Sequence, residues 1–420
     1  MPKNALYAQS GGVTAVINAT ACGVIQAAAQ HPADIGQVFA ARDGIVGALT
    51  EDLIDLAQES AETIAALRHT PGGAFGSCRF DLGDIESHRH QYERLIEVFA
   101  AHDIGYFFYN GGGGSMLTAY KVSQIGDELG YPLTTVGIPK TIDNDLAGTD
   151  CSPGFGSAAK WVATSVREAA LDVASMAATS TKVFILEVMG RHGGWLAAAG
   201  GLAGEGPDEP PHIILFAERP FRQADFLKRV RETIERVGYC VIVAAEGVKD
   251  EDGEFLSIMH DSDVYAWIQL GGAAPNLAEL IKRELGVKVH WAVGDYLQRS
   301  ARHIASRTDV EQAYAVGRAA VEAAIGEHHA VMPVIRRLSD TPYRWDIDLV
   351  QLAEVADIEH FVPAAYITED GYGITPAARR YLQPLIEGED YPPYRNGLPD
   401  YVRLRDVRVS RQLPPFDIEA

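Results

Sequence analysis

The sequence predicts an α/β fold with mainly parallel sheets, arranged in two lobes. Three observations lead there. Short apolar runs that read as strands alternate with amphipathic runs that read as helices, the pattern of parallel sheets covered on both faces. Glycine-rich or charged loops stand where strands pass into helices, and open α/β sheets carry ligands at those strand ends. The 420 residues suffice for two or three domains, and the loops fall into two clusters along the chain.

Ala5–Gln9 reads as the first strand, Ser10-Gly11-Gly12 as a tight turn, and Thr14 to Ala29 as a helix. Strand, Gly-Gly and helix in that order make a phosphate cradle, because glycine lets the backbone approach an anion and the free N–H groups of the helix start face it. Close packing of the helix on the strand accounts for the glycines equally well. The run is neither GxGxxG nor GxxxxGK[ST]. Val38–Ala41 is a second strand. Helices near Ala61–Leu67 and Gln91–Ala101 flank a glycine-rich loop, Thr70 to Arg79. An arginine presented by small residues suits phosphate recognition, and a mobile loop is the plain alternative. Ile104 to Tyr109 is a third strand. Four glycines follow, Gly111 to Gly114, then Ser115 and a helix from Met116 to about Gln124. Four consecutive glycines cost much backbone entropy, which points to a ligand lying against this Gly111–Gly114 backbone.

Tyr131 to Ile138 is a buried strand ended by Pro139. Lys140-Thr141-Ile142-Asp143-Asn144-Asp145 then offers a cation, a hydroxyl and two carboxylates at a strand end. Phosphoryl transfer uses such a set: positive charge for the phosphates, a carboxylate to take a hydroxyl proton, another near Mg²⁺. A solvated turn also fits, since Asp-Asn-Asp is common in loops. A long helix covers about Ser157 to Ala177. Thr181 to Met189 is a strand that enters Gly190-Arg191-His192-Gly193-Gly194 and another helix at Trp195. His212–Phe216 and Tyr239–Ala245 are strands around a helix at Ala224–Val237, and the second of them ends in Glu246-Gly247. Asp250-Glu251-Asp252-Gly253 is a turn, since EF-hand spacing is absent. Asn276 to Glu284 is a helix capped by Gly286, Val287 to Val293 a strand, and Asp309–Ile325 a helix. From about Ala330 strand-like runs alternate with Pro- and Tyr-rich loops, an extension that covers the core or a subunit contact.

Composition narrows the classes. The chain is 47% hydrophobic and 22% charged, with a formal net charge of -21. Such an acidic balance argues against nucleic acid and anionic membrane as partners. Cys22, Cys78, Cys151 and Cys240 are scattered, so neither zinc nor a disulfide framework is expected, and a cytoplasmic location fits. No apolar run is long enough to span a membrane, and no signal peptide is expected.

Taken in order, these loops resemble the phosphofructokinase family. The matching segments are Ser10-Gly11-Gly12 with Asn18, Gly72-Gly73 to Arg79, Gly111-Gly112 with Ser115, Thr141 to Asp145, Met189-Gly190-Arg191, Glu246-Gly247 and Gln298-Arg299. They cover about the first three quarters of the chain, and the Thr141–Asp145 and Met189–Arg191 runs form a highly specific pair. The resemblance implies two Rossmann-like lobes: a donor-phosphate lobe over 1–150 with a return from about 291–330, a sugar-phosphate lobe over 151–290, and a C-terminal extension over 331–420. It implies phosphorylation of fructose 6-phosphate at C1, with Mg²⁺, in glycolysis and gluconeogenesis. Asp143 would take the hydroxyl proton, with Thr141, Lys140 and Arg191 also at the chemistry. Thr141, Ile142, Asp143, Asp145, Met189, Gly190, Arg191, Glu246, Tyr296 and Arg299 would hold the sugar phosphate. Lys182 and His290 fall where the family often has arginines reaching in from a neighbouring subunit, which implies a homodimer or homotetramer. Gly11, Gly12, Arg79, Gly112, Gly113, Gly114, Ser115 and Lys140 would cradle the donor. Asp145 would sit near the metal, whereas Gly113 occupies a metal-helping position without a side-chain ligand.

The donor is read from two positions. ATP users in the family have glycine at both, and pyrophosphate users typically have aspartate at the first and lysine at the second. This chain has Gly114 and Lys140. Lys140 supplies charge to pyrophosphate, and Tyr296 and the long tail resemble the pyrophosphate-dependent branch, so pyrophosphate in a reversible reaction is the expectation. The alternatives are an ATP-dependent enzyme, which Gly114 allows, and a non-catalytic sugar-phosphate-binding regulatory subunit, suggested by Gly113 and His290. A dehydrogenase is remote without GxGxxG.

Overall fold

The computed structural model describes residues 2–256 and 272–418. Its strands in chain order are β1 (Lys3–Gln9), β2 (Ile35–Ala41), β3 (Leu53–Asp55), β4 (Ile104–Gly111), β5 (Thr134–Pro139), β6 (Val183–Val188), β7 (Ile213–Leu215), β8 (Cys240–Ala245), β9 (Val289–Val293), β10 (Val331–Asp340), β11 (Tyr343–Gln351), β12 (Tyr394–Arg395) and β13 (Leu398–Pro399). The chain forms two units. One comprises residues up to 154, 302–359 and from 388 on; the other comprises 155–301 and 360–387.

The first unit is built on a seven-stranded sheet of order β11-β10-β5-β4-β1-β2-β3. Its central pairs β2–β1, β1–β4 and β4–β5 are parallel, and antiparallel pairs occur only at its two edges, β2–β3 and β10–β11. The central strands are buried on both faces, which is why β4 and β5 read as nearly unbroken apolar runs. On one face Leu95, Phe99, Phe107, Met116, Val122 and Ile125 form the core with the helices Arg89–Ala101 and Gly113–Glu128. Each large apolar side chain fully buried there contributes about 1.5–3 kcal/mol. On the other, Val16, Ala19, Val310 and Ala313 join the helices Ile17–Gln30 and Arg307–Ile325. The first helix begins at Ile17 rather than Thr14, because residues 15–16 form a turn.

The second unit is a four-stranded, wholly parallel sheet of order β7-β8-β6-β9. Helices Phe155–Met176, Gln223–Val237 and Ala273–Leu285 belong to it, the last closed by Gly286 in the left-handed region as expected. The edge strand β9 leaves Trp291 and Val293 exposed.

The expected lobe limits at 150/151 and 290/291 fall instead at 154/155 and 301/302. Nor is the segment beyond 331 a separate extension. β10 and β11 join the first sheet through β5, and residues 360–387 belong to the second unit, where Tyr366 and Tyr381 pack on Trp195. The remaining tail straps the first unit along the short edge strand β3, with the Asp55 N–H donating to the Val407 carbonyl (2.8 Å) and the Val409 N–H to the Leu53 carbonyl (2.9 Å). Val409, Leu413 and Phe416 then cover the core.

One buried carboxylate anchors this strap. Glu51 accepts from His102 Nε2 (2.7 Å), from the Leu413 N–H (3.0 Å) and from the Gln412 N–H. Burial pushes its carboxyl up, but the bonds from Gln412, His102 and Leu413 outweigh that and hold it below the usual range. Glu51→Ala strands these buried donors. It is expected to destabilise the first unit by about 3 kcal/mol and to open the tail to protease, measured by urea unfolding and limited proteolysis. Because the folded value is depressed, this stabilisation is full above the ordinary glutamate pKa of about 4.3 and is lost as pH falls through the lower folded value.

Candidate active site

In the first unit β1 and β4 run side by side and both open into glycine turns. Several bonds join these turns to the Thr70–Arg79 loop. The Ser10 N–H donates to the Asn110 carbonyl and the Gly11 N–H to the Cys78 carbonyl, both at 2.9 Å. Ser77 Oγ donates to the Gly11 carbonyl and Ser115 Oγ to Ser10 Oγ, both at 2.8 Å. Beneath them lies Asn18, fully buried. It donates to the Thr70 carbonyl (2.7 Å) and accepts from the Ala74 N–H (3.0 Å) and Gln9 Nε2 (3.2 Å). The loop is thus pinned at both ends, with Arg79 exposed at its exit.

Lys140 stands where β5 ends. Its N–H donates to the Gly111 carbonyl (3.0 Å) and its Nζ to the Gly12 carbonyl (2.6 Å). The ammonium therefore lies against the Gly11–Gly12 turn while the residue's backbone is tied to the Gly111 turn, on a residue only 4% exposed. Of the four glycines, packing explains only the first: a Cβ on Gly111 would lie 2.1 Å from Ser115 Oγ. The nearest atoms would be 3.7 Å away at Gly112 and 3.9 Å at Gly113, and none lies within 4 Å at Gly114. The helix Gly113–Glu128 thus starts with its first residues facing open space, an arrangement suited to an anion.

Residues 141–154 form an ordered loop. Thr141 and Gly154 bridge as strands do, and the Gly154 N–H donates to Asp309 Oδ1 (2.8 Å). The Asp143 N–H donates to Thr141 Oγ1 (3.0 Å), and Asn144, at φ 55°, accepts the Ser152 N–H on Oδ1 (2.9 Å). Thr141, Ile142 and Asn144 are buried, and Asp143 and Asp145 are half-buried, so this is not a solvated turn. Burial pushes the Asp145 carboxyl up and Glu359 pushes it further, against its own backbone N–H, Lys140 and Thr141.

The second unit gathers the other residues singled out in the sequence. β6 and β8 end side by side in Met189-Gly190-Arg191 and Glu246-Gly247. The Gly247 N–H donates to the Gly190 carbonyl (3.2 Å), and the Met189 N–H to Gln298 Oε1 (3.1 Å). Gly190 is required as glycine: its φ is 129°, and a Cβ would meet the Gly193 carbonyl at 2.4 Å. Burial pushes the Glu246 carboxyl up, opposed by the Gly190 N–H and Arg191 and aided by Glu187 and Asp295. The Arg299 guanidinium lies 3.9 Å over the exposed Tyr296 ring. Lys182 and His290 stand apart. Lys182 precedes β6, opposite the end that carries Arg191, and its Nζ donates to the Ala177 carbonyl. His290, exposed, pairs with Phe184 at that same end.

Gln298 and Glu187 were not foreseen in these roles. Glu187 is buried in β6 and accepts the Gly272 (3.0 Å) and Ala274 (2.8 Å) N–H groups. A lone acid in an apolar strand was its only signal. Among the described residues no group of three or more His, Cys, Asp or Glu side chains is placed to hold a metal ion, and no helix is long and apolar enough to cross a membrane.

A phosphofructokinase family model matches residues 4–324. The chain belongs to the phosphofructokinase family. It is 62% identical over 415 residues to the pyrophosphate–fructose 6-phosphate 1-phosphotransferase of Halomonas elongata, covering 99% of both chains. It is 64% identical over 411 residues to the enzyme of the same name from Methylococcus capsulatus, covering 98% of both. The crystal structure of a pyrophosphate-dependent phosphofructokinase from Marinobacter aquaeolei superposes with a TM-score of 0.91 at 58% identity, covering 99% of this chain and 100% of that one. The family's α/β fold with mostly parallel sheets is the fold described above.

Two glycine variants separate packing from ligand space. Gly154 has φ 112°, and a Cβ there would lie 2.4 Å from Thr14 Cγ2. Gly154→Ala is expected to cost about 2 kcal/mol or more. Gly114→Ala is expected to leave stability unchanged or raise it by up to about 1 kcal/mol while lowering turnover. Denaturant unfolding and steady-state kinetics on both variants check this.

Proposed function

We propose that this chain transfers a phosphoryl group from pyrophosphate to the C1 hydroxyl of fructose 6-phosphate, giving fructose 1,6-bisphosphate and phosphate in a reversible reaction. The observation that carries the reading is Lys140, whose ammonium is held on the Gly12 carbonyl and whose backbone is tied to the second glycine turn at Gly111. The names of the near-full-length relatives support the same donor.

A hydroxyl is a poor nucleophile and the transferred group is densely anionic, so the protein's work is positioning and charge stabilisation. Asp143 takes the proton from the C1 hydroxyl as that oxygen attacks phosphorus. Thr141, whose Oγ1 already accepts the Asp143 N–H, sets the angle of the base. Lys140 offsets the charge on the pyrophosphate oxygens and on the departing phosphate; one such contact is worth about 3 kcal/mol of barrier. Backbone N–H groups of Gly12 and Gly112–Gly114, flanked by Gly11 and Ser115, cradle the donor together with Arg79. Met189, Gly190, Arg191, Glu246, Tyr296 and Arg299 hold the sugar phosphate, Arg191 also countering charge in the reaction, and Ile142 and Asp145 contribute to sugar binding. Lys182 and His290 serve a neighbouring copy, since within one chain they lie at the far end of β6.

Mg²⁺, when bound with the donor, would neutralise phosphate charge. Asp145 is the protein group suited to it, because its carboxyl is raised by burial and by Glu359, a strain that a cation relieves. Gly113 supplies no side-chain ligand, so phosphate oxygens and water would be the remaining ligands.

One observation favours a second donor: the open space at Gly114 leaves room for a nucleotide. Product formation from fructose 6-phosphate and Mg²⁺, with pyrophosphate and ATP in parallel, separates the two. Turnover with pyrophosphate and not ATP is expected, and turnover with ATP alone contradicts the proposal. Asp143→Ala is expected to lower kcat by about 10³-fold with the KM for fructose 6-phosphate little changed. A variant of normal rate removes Asp143 as the base.

A further inference from the structure

The Met189–Gly194 loop is held from two sides. On one, Gly247 meets it so closely that a Cβ there would lie 1.9 Å from the Arg191 carbonyl oxygen. On the other stands Glu218, which lies beyond β7 and matches none of the segments that carry the family resemblance. Its Oε1 and Oε2 accept the Gly194 N–H at 2.9 and 3.0 Å. The same Oε1 accepts the Val362 N–H at 2.9 Å. The contact is tight: a Cβ on Gly194 would meet Glu218 Oε2 at 2.7 Å, and one on Gly193 would lie 3.9 Å from Oε1. Gly193 in turn touches Gly190, whose Cβ would fall 2.4 Å from the Gly193 carbonyl oxygen. A chain of contacts thus runs from the Glu218 carboxylate through Gly194 and Gly193 to Gly190 and the Arg191 backbone.

Its other branch ties down residues 360–362. Val362 is fixed by Glu218, and His360 accepts the Trp195 Nε1–H on its carbonyl oxygen (2.9 Å), Trp195 being the residue that follows Gly194. Burial pushes the Glu218 carboxyl up, and the Gly194 and Val362 N–H groups partly offset this, so the acid is kept at an energetic cost. An apolar residue of similar size would fill the space without that cost, but it would leave two backbone donors without an acceptor.

We propose that Glu218 is a positioning residue for sugar-phosphate binding: it fixes the Gly190–Gly194 turn, and with it the Arg191 backbone, by bonding Gly194 to the 360–362 segment. The inference rests on the reading of Met189–Arg191 as sugar-phosphate contacts. Glu218 touches no substrate in this account and acts only through the loop.

The test uses the full chain. Fructose 6-phosphate affinity is measured by calorimetry without donor, and KM for each substrate by steady-state kinetics, for wild type, Glu218→Ala and Glu218→Gln. Glu218→Ala is expected to weaken fructose 6-phosphate about tenfold, in both Kd and KM, with the KM for pyrophosphate held within about twofold. Glu218→Gln is expected to recover most of the loss, because its amide oxygen replaces Oε1, the atom that accepts both N–H groups. A small residual loss of about threefold is expected from its NH₂ facing the Gly194 N–H. Unchanged fructose 6-phosphate affinity with only a lower melting temperature overturns the proposal, as does an equal rise in both KM values. If Glu218→Ala does not fold, the Gln variant decides: a selective rise in the fructose 6-phosphate KM supports the role, and no change overturns it. Wild-type protein that binds no fructose 6-phosphate overturns the sugar-phosphate reading itself, and this inference with it.

Discussion

A lysine ammonium placed almost out of solvent is the constraint on which the first unit's loops depend. Lys140 is 4% exposed, and its Nζ reaches the Gly12 carbonyl while its own N–H bonds Gly111. A cation so placed puts positive charge at a strand end where anionic oxygens can meet it. The parallel sheet makes the placement possible. β1, β4 and β5 lie adjacent and point the same way, so three loops far apart in sequence leave at one edge. Ser115 then binds the two glycine turns to each other, Asn18 holds the Thr70–Ala74 stretch beneath them, and Asp309 and Ser152 hold the loop that carries Asp143.

The second unit repeats the principle with a different chemistry. Its strands also deliver their loops at one edge, but the buried groups there are carboxylates. Glu187 and Glu246 are both raised by burial and both accept backbone N–H groups. Acids bonded to main chain fix loop shape, and a loop of fixed shape can hold an arginine at a set angle to a phosphate.

Much of this was legible in the sequence, for identifiable reasons. β4 and β5 announce themselves because buried parallel strands are continuous apolar runs, and the glycines and charges after them mark strand ends. Thr141 to Asp145 and Met189 to Arg191 stood out because their residue types match a phosphoryl-transfer site at a strand end. The tail was less legible. β3 has three residues, too few for any periodicity, and the strap that pairs with it is held by Glu51 and Arg408 rather than by a strand pattern. The partition of residues after 331 between the two units depends on pairings over long sequence distance, such as Val331 with Val136, which local pattern does not encode. Glu218 was invisible for a related reason: a carboxylate that serves main-chain donors has no partner side chain to betray it.

The central claim, that pyrophosphate is the phosphoryl donor, is tested most directly in reverse. Fructose 1,6-bisphosphate, inorganic phosphate and Mg²⁺ are incubated with the protein and followed by phosphorus NMR. The account predicts that pyrophosphate and fructose 6-phosphate appear in equal amounts and stop at the same mass-action ratio reached from the forward side. No pyrophosphate from a folded protein that turns over fructose 6-phosphate with ATP would contradict it.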